Sequence, residues 1–278
     1  MSLLIHHPDA SISTDPFPHV LIEPAFAPEL IDELVDSFPP LDTFVRGRKV
    51  ADATKLHLKA TEALDSAAVS ARWKQIVHEH VSRQHLATLV QLFDTQLAAE
   101  YPRLHEQLQR PQDLRIGLRN RDGYGDHDLL LDAQFIVHTP ARTAPATDRG
   151  PHAKVENKLF EAHLMLRPRS DDTPGGDLEL FSIRPGCCPR FGRRNCTDER
   201  FLVRSKVIPA GCNRLFLFLN TPRSLQRWSI RGRGDVPLMY FNFLVETPAP
   251  LFALRHHPLQ GLRSAVGRRL RRWPLVMR

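Results

Sequence analysis

The stretch RGPHAKVENKLFEAHLMLRPRSDDTPGGDLELF, residues 149–181, decides how this chain folds. It presents His152 just after an Arg-Gly-Pro turn, continues into the apolar run LFEAHLML, and turns through DDTPGG into a second run, GDLELFSI. Short apolar runs separated by turn residues are the pattern of antiparallel strands. Side chains in a strand alternate with period two, so His152 and the residue two positions on share a face. On that face a carboxylate would complete the entry to a metal site, yet the residue there is Lys154. A cation stands where a metal ion would need an anion.

The same texture extends from Pro111 onward. LRIGL, LLLDAQFIVHT, FLVRSKVI, RLFLFLN and PLMYFNFLVE join the two runs above, and seven β-like segments in about 135 residues predict a sandwich or barrel rather than alternating βα units. Upstream the period changes. PELIDELVDSF has apolar residues at 30, 31, 34, 35 and 38, and from about Ala63 to Leu108 a helical pattern puts Trp73, Ile76, Val77 and Val81 on one face. Phe17 to Ile22, short and bounded by prolines, predicts a strand, whereas residues 44–60 are basic and irregular. The expected organisation is a strand and helical support at 1–111, a β domain at 112–250 and a basic tail at 251–278, all within one structural domain.

Composition limits the function classes. With 278 residues, 42% hydrophobic and 25% charged, the chain can bury a core of ordinary size. No segment has the ~18–20 consecutive apolar residues of a membrane span, and MSLLIHHPDA lacks the pattern of a secretory signal, so the protein is expected in the cytoplasm. Cys187, Cys188, Cys196 and Cys212 do not have paired metal-ligand spacing and read as structural or incidental thiols. The net charge is +7, and the seven arginines from Arg255 to Arg278 carry all of it. A neutral body with a basic appendix argues against specific nucleic-acid binding. Within the tail, Leu262, Val266, Leu270 and Trp273 fall on one face of a helix, which suits an anionic membrane surface at the inner face of the membrane. A solvated helix packed on its own domain, or a basic end touching RNA non-specifically, is the plainer alternative.

The order of motifs resembles the iron(II)- and 2-oxoglutarate-dependent oxygenases, in particular the bacterial prolyl-4-hydroxylase-like branch. The resemblance runs from PFPHVLIEPAF through LDAQFIVHTPART and residues 149–181 to NRLFLFLNTPRSLQRWSIRGRGDVPLMYFNFLVE. It implies an α+β fold built on a double-stranded β-helix (a cupin-like jelly roll) with supporting N-terminal helices. It also implies iron held by two histidines and a carboxylate, with positions left open for 2-oxoglutarate and oxygen. A basic residue would hold the distal carboxylate of 2-oxoglutarate.

Three of these four requirements fail here. His152 matches the first ligand, but Lys154 occupies the carboxylate position, Gln226 the distal-histidine position and Leu238 the position of the 2-oxoglutarate anchor. Arg231, in the S-I-R that matches the family's S-P-R, is retained without being the expected anchor. At ~4 Å and an effective dielectric of ~20, each unit charge against a divalent ion is on the order of 8 kcal/mol, so exchanging a carboxylate for an ammonium is severe. Neither iron nor 2-oxoglutarate is therefore expected as cofactor. A barrel-mouth pocket of His152, Lys154, Gln226, Arg231 and Leu238 is expected instead, taking an anionic or sugar-like ligand or serving an active oxygenase paralogue as partner.

Two other functions stay open. One is an active hydroxylase with Fe(II) and 2-oxoglutarate whose ligands have moved to His152, His163 and Glu156; in the plainer reading His163 and His138 line the barrel as hydrogen-bonded residues. The other is a non-oxidative enzyme using Lys154 as a base or in a Schiff base with a carbonyl compound.

Overall fold

The computed structural model describes residues 11–143 and 150–256; the apolar stripe and most of the arginines of the tail lie outside the described residues. The chain begins with strand β1 (His19–Ile22), helices α1 (Pro28–Asp36) and α2 (Leu41–Val45), and strand β2 (Lys55–Leu58). Five helices follow: α3 (Ala60–Asp65), α4 (Ala71–His80), α5 (Arg83–Leu92), α6 (Asp94–Glu100) and α7 (Pro102–Leu108). The remaining strands are β3 (Ile116–Leu118), β4 (Leu129–His138), β5 (His152–Ala153), β6 (Lys158–Leu166), β7 (Leu178–Ile183), β8 (Leu202–Ile208), β9 (Cys212–Leu219), β10 (Leu225–Trp228) and β11 (Leu238–Glu246).

The strand order defines the architecture. One sheet runs β1-β9-β6-β11-β4-β2, with β3 parallel to β4, and a smaller one runs β5-β10-β7-β8. From β4 to β11 the chain therefore crosses repeatedly between the sheets, leaving 4-11-6-9 over 5-10-7-8. That interleaving is a jelly roll, the expected double-stranded β-helix. Met165, Phe216 and Phe218 of the large sheet meet Leu178, Leu180 and Ile208 of the small one in a shared core, so the two sheets face each other.

The large sheet's other face carries the helices. Trp73 of α4 is fully buried, its indole nitrogen donating to Leu34 O at 3.0 Å, with its ring 4.9 Å from Phe135 and 5.2 Å from Phe241. Ser70 and Ser82 begin α4 and α5 by accepting hydrogen bonds from the backbone N–H of Trp73 and His85, a cap each serine supplies to otherwise unpaired donors. Among the described residues no helix is long and apolar enough to cross a membrane, and the four cysteines are free thiols.

Three strands depart from the sequence expectation. β5 and β10 are too short to show as apolar runs. β2 lies inside the stretch expected to be irregular: KLHL alternates basic and apolar residues and pairs with the 135–138 half of β4. Its polar alternation is that of a rim strand.

Candidate functional site at the barrel mouth

Period-two alternation gives each strand of the large sheet two distinct faces. On β4, β6 and β11 the helix side carries Phe135, Ala162 and Phe241, while the barrel side carries Gln134, Glu161, His163, Tyr240 and Asn242. The polar end of this inner face opens into a cavity of about 540 Å³. Its floor includes Gln134, Ile136, Glu161, Asn242 and Leu244; β5 and the segment after it add His152, Lys154, Glu156 and Lys158. The rim comes from Lys55, His57 and Lys59 along β2, and from Arg119, Arg194 and Asn195. Six basic side chains thus surround two carboxylates among the described lining residues.

Lys154 turns into the barrel. Its ammonium lies 3.2 Å from Glu161 Oε1 and 5.9 Å from the Phe218 ring centre, and Lys158 reaches Glu161 Oε2 at 3.2 Å. Burial alone would push the Glu161 carboxyl up, but Lys154 and Lys158 outweigh it and hold the group well below the usual carboxylate range. Asn242 Nδ2 donates to Ala162 O at 2.7 Å and lies 3.2 Å from His163 Nδ1, while His163 Nε2 lies 3.9 Å from Glu161 Oε1. Burial, reinforced by Lys154, pushes His163 well below the ordinary imidazole value, so it stays neutral. On the rim, His57 Nδ1 donates to Gln134 Oε1 at 3.0 Å, and burial, with Lys55 and Lys158 adding to it, lowers its pKa.

The segment holding Arg194 is strained in a specific way. Arg194 and Asn195 both take left-handed backbone, each with φ of 58°. Such a conformation costs roughly 1–2 kcal/mol for a residue other than glycine and persists where neighbours impose it. Here Asn195 Nδ2 donates to Lys154 O at 3.2 Å, Gly192 N to Cys196 O at 2.7 Å, and Thr197 N to Pro151 O at 2.9 Å. The turn is tied to the strand that carries His152 and Lys154.

The expected site residues separate into two groups. His152 and Gln226 are register partners on β5 and β10, so they share a face, and Lys154 lies two residues along the same chain. His152 Nδ1 donates to Gly150 O at 3.0 Å. Gln226 is fully buried, and among the described residues neither atom of its amide finds a hydrogen-bond partner.

Gln226, Arg231 and Leu238 lie outside the cavity lining, so of the five residues expected there only His152 and Lys154 line it. Arg231 is captured by the buried carboxylate of Asp171 at 2.6 Å. The DDTPGGD turn clamps its neighbours, with Gly232 N donating to Pro174 O at 2.8 Å and Ser229 N to Asp177 O at 2.7 Å. Gly175 is required there, because a Cβ would sit 2.0 Å from the Ile230 carbonyl oxygen. Leu238, first in β11, lines a small apolar gap with Met165, Trp228 and Tyr240. An ion pair and apolar packing account for both side chains.

These residues do not fit an iron centre. Lys154, two residues after His152, is an ammonium already paired with a carboxylate, and the amide of Gln226 is a weak ligand beside an imidazole. Nor do the relocated ligands assemble: Glu156 faces His256 at 3.6 Å, His163 is hydrogen-bonded to Asn242, and among the described residues no three His, Cys, Asp or Glu side chains group to hold a metal. The Lys154 ammonium, the candidate for Schiff-base chemistry, is paired with Glu161 at 3.2 Å.

The sequence expectation missed Lys55, His57, Lys59 and Glu161. The signal for the first three was the alternation in KLHLK, in which every second residue is polar and the others are leucines. Glu161 sits inside an apolar run, where a lone carboxylate asks for a partner.

No protein-family model and no curated protein matches the chain. Among solved structures, it is similar to a Pseudomonas putida prolyl-4-hydroxylase at 11% identity, covering 88% of this chain and 97% of that one, with a TM-score of 0.43. It is also similar to the epimerase SnoN, solved with Fe3+, α-ketoglutarate and nogalamycin RO (11% identity, 94% and 87% covered, TM-score 0.45). A third is HygX from Streptomyces hygroscopicus, solved with nickel and 2-oxoglutarate (9% identity, 88% and 86% covered, TM-score 0.39). By its own strand order the chain is a jelly roll.

Proposed function

We propose that this protein is a non-catalytic relative of the 2-oxoglutarate- and iron-dependent oxygenases whose barrel mouth binds an anionic small molecule in place of iron and 2-oxoglutarate. The observation that carries this is the Lys154–Glu161–Lys158 cluster on the cavity wall. One buried carboxylate is shared by two ammonium groups, and four further basic side chains line the same space, so the cavity field is positive. The charge suits an anion entering from solvent and opposes a divalent cation. At about 540 Å³ the cavity is of small-molecule size.

The test uses purified full-length protein. Iron content, 2-oxoglutarate turnover to succinate, and thermal stabilisation by small anions are measured on one preparation. The expected result is no stoichiometric iron, no succinate, and stabilisation by anions that weakens with added salt, since exposed charges are screened over ~8–10 Å. Stoichiometric iron together with succinate formation would overturn the reading.

A further inference from the structure

We infer that the ligand of this mouth is a phosphorylated polyol of the sugar-phosphate class, an inference that presupposes the anion-binding mouth proposed above. Two features of the lining select it. The first is the kind of cation. The bidentate fork of arginine matches carboxylate and phosphate alike, whereas lysines act as point charges, the mode in which they gather around a phosphate without a fixed plane. Here the basic groups are mostly lysines brought in from separate elements: Lys55 from β2, Lys59 just after it, Lys154 just after β5 and Lys158 at the start of β6. Arg119 is already engaged by Asp132 and Glu246, at 3.3 and 2.9 Å. A phosphate monoester carries about −1.5 to −2 at neutral pH, a better match to this surplus than a monocarboxylate.

The second feature is the neutral part of the lining. His57, Gln134 and Asn195 offer uncharged donors and acceptors alongside the lysines, the chemistry that hydroxyl groups need. Among the described residues no Phe, Tyr or Trp lines the cavity, so a nucleobase would lack a large ring to stack on. The strained Arg194–Asn195 turn, tied to the Lys154 carbonyl, adds a charged and an amide side chain to the same lining. Phosphate is then held among the lysines, with the polyol directed at His57, Gln134 and Asn195.

Calorimetric titration of the full-length protein with glucose 6-phosphate, glucose 1-phosphate, fructose 6-phosphate, inorganic phosphate, glucose, 2-oxoglutarate and citrate tests this. At least one hexose phosphate is expected to bind tenfold or more tightly than inorganic phosphate, with glucose alone undetected. Lys55→Gln with Lys59→Gln, on the solvent-reached rim, is expected to weaken that binding tenfold or more while circular dichroism stays unchanged. Tighter binding of citrate or 2-oxoglutarate than of every hexose phosphate overturns the phosphate assignment and leaves the anion-binding mouth standing. Hexose phosphates no tighter than inorganic phosphate overturn the polyol part. If none of the anions binds, both this inference and the anion-binding mouth fall.

Discussion

The two faces of the large sheet are buried to the same degree and built on opposite principles. Phe135, Ala162, Phe241 and Phe243 on the helix side are at most 1% exposed; Gln134, Glu161, His163 and Asn242, their strand neighbours on the barrel side, are at most 5% exposed. Apolar burial stabilises by about 25 cal/mol per Å², whereas a buried polar group costs free energy unless it is partnered. One face therefore supplies stability, and the other is held by its hydrogen bonds and ion pairs. The same strands can carry both because alternation keeps the two sets apart.

The most damaging way to probe this contrast is on the helix side. Trp73→Ala removes the side chain that touches Phe38, Phe135 and Phe241, and is expected to lower stability by about 3–5 kcal/mol in denaturant titration. A loss below ~1 kcal/mol would break the assignment of stability to that face. On the barrel side, Glu161→Ala leaves Lys154 and Lys158 without their shared carboxylate and is expected to cost about 3 kcal/mol. Lys154→Met with Glu161→Leu should restore most of that loss while abolishing anion binding. A double variant that stays as unstable as the single one would mean that the cluster serves the fold and not the mouth.

A gain of function sharpens the comparison further. Lys154→Asp with Gln226→His would place a carboxylate and a second imidazole beside His152. Manganese(II) at a hundredfold over its dissociation constant should then stabilise the variant by about 2.7 kcal/mol and leave the wild type unchanged. No metal-dependent shift in the variant would mean that the β5–β10 pair no longer has the spacing of a metal site.

Per unit of change in conditions, the smallest effect expected is one of pH. His80 packs on the helix side, its ring 4.8 Å from Phe243 and 4.5 Å from His85, and burial lowers its pKa to about 4. An unfolded imidazole titrates near ~6.5, so between these values the unfolded chain binds more protons. The contribution of His80 is thus complete above ~6.5 and is lost as pH falls toward 4. His80→Met should flatten the slope by up to ~1.4 kcal/mol per pH unit. The depressed Glu161 carboxyl acts lower: its contribution holds above ~4.3 and is lost as pH falls below that, so Lys154→Met with Glu161→Leu should alter only the acid end. Melting temperatures between pH 3.5 and 7.5 check both.

Much of this was legible in the chain because it depends on local period. Strand alternation predicts His152 and Lys154 on one face, and both line the cavity; helical spacing puts Trp73, Ile76 and Val77 on one face, and all three are buried. The exchange of charge at Lys154 and the loss of an imidazole at Gln226 are likewise facts of the sequence.

What period cannot carry is the partner across a sheet. Lys154 meets Glu161 through the turn between β5 and β6, Arg231 is taken by Asp171 sixty residues earlier in the chain, and Leu238 closes on Trp228. Each pairing was decided where a buried charge or apolar side chain had to find a complement, and the only complements in reach were those the jelly roll brought alongside. The lysines of β2 became part of the mouth for the same reason: KLHL completes the exposed edge of β4, and its alternation then aims Lys55 and His57 at a cavity that the strand by itself does not possess.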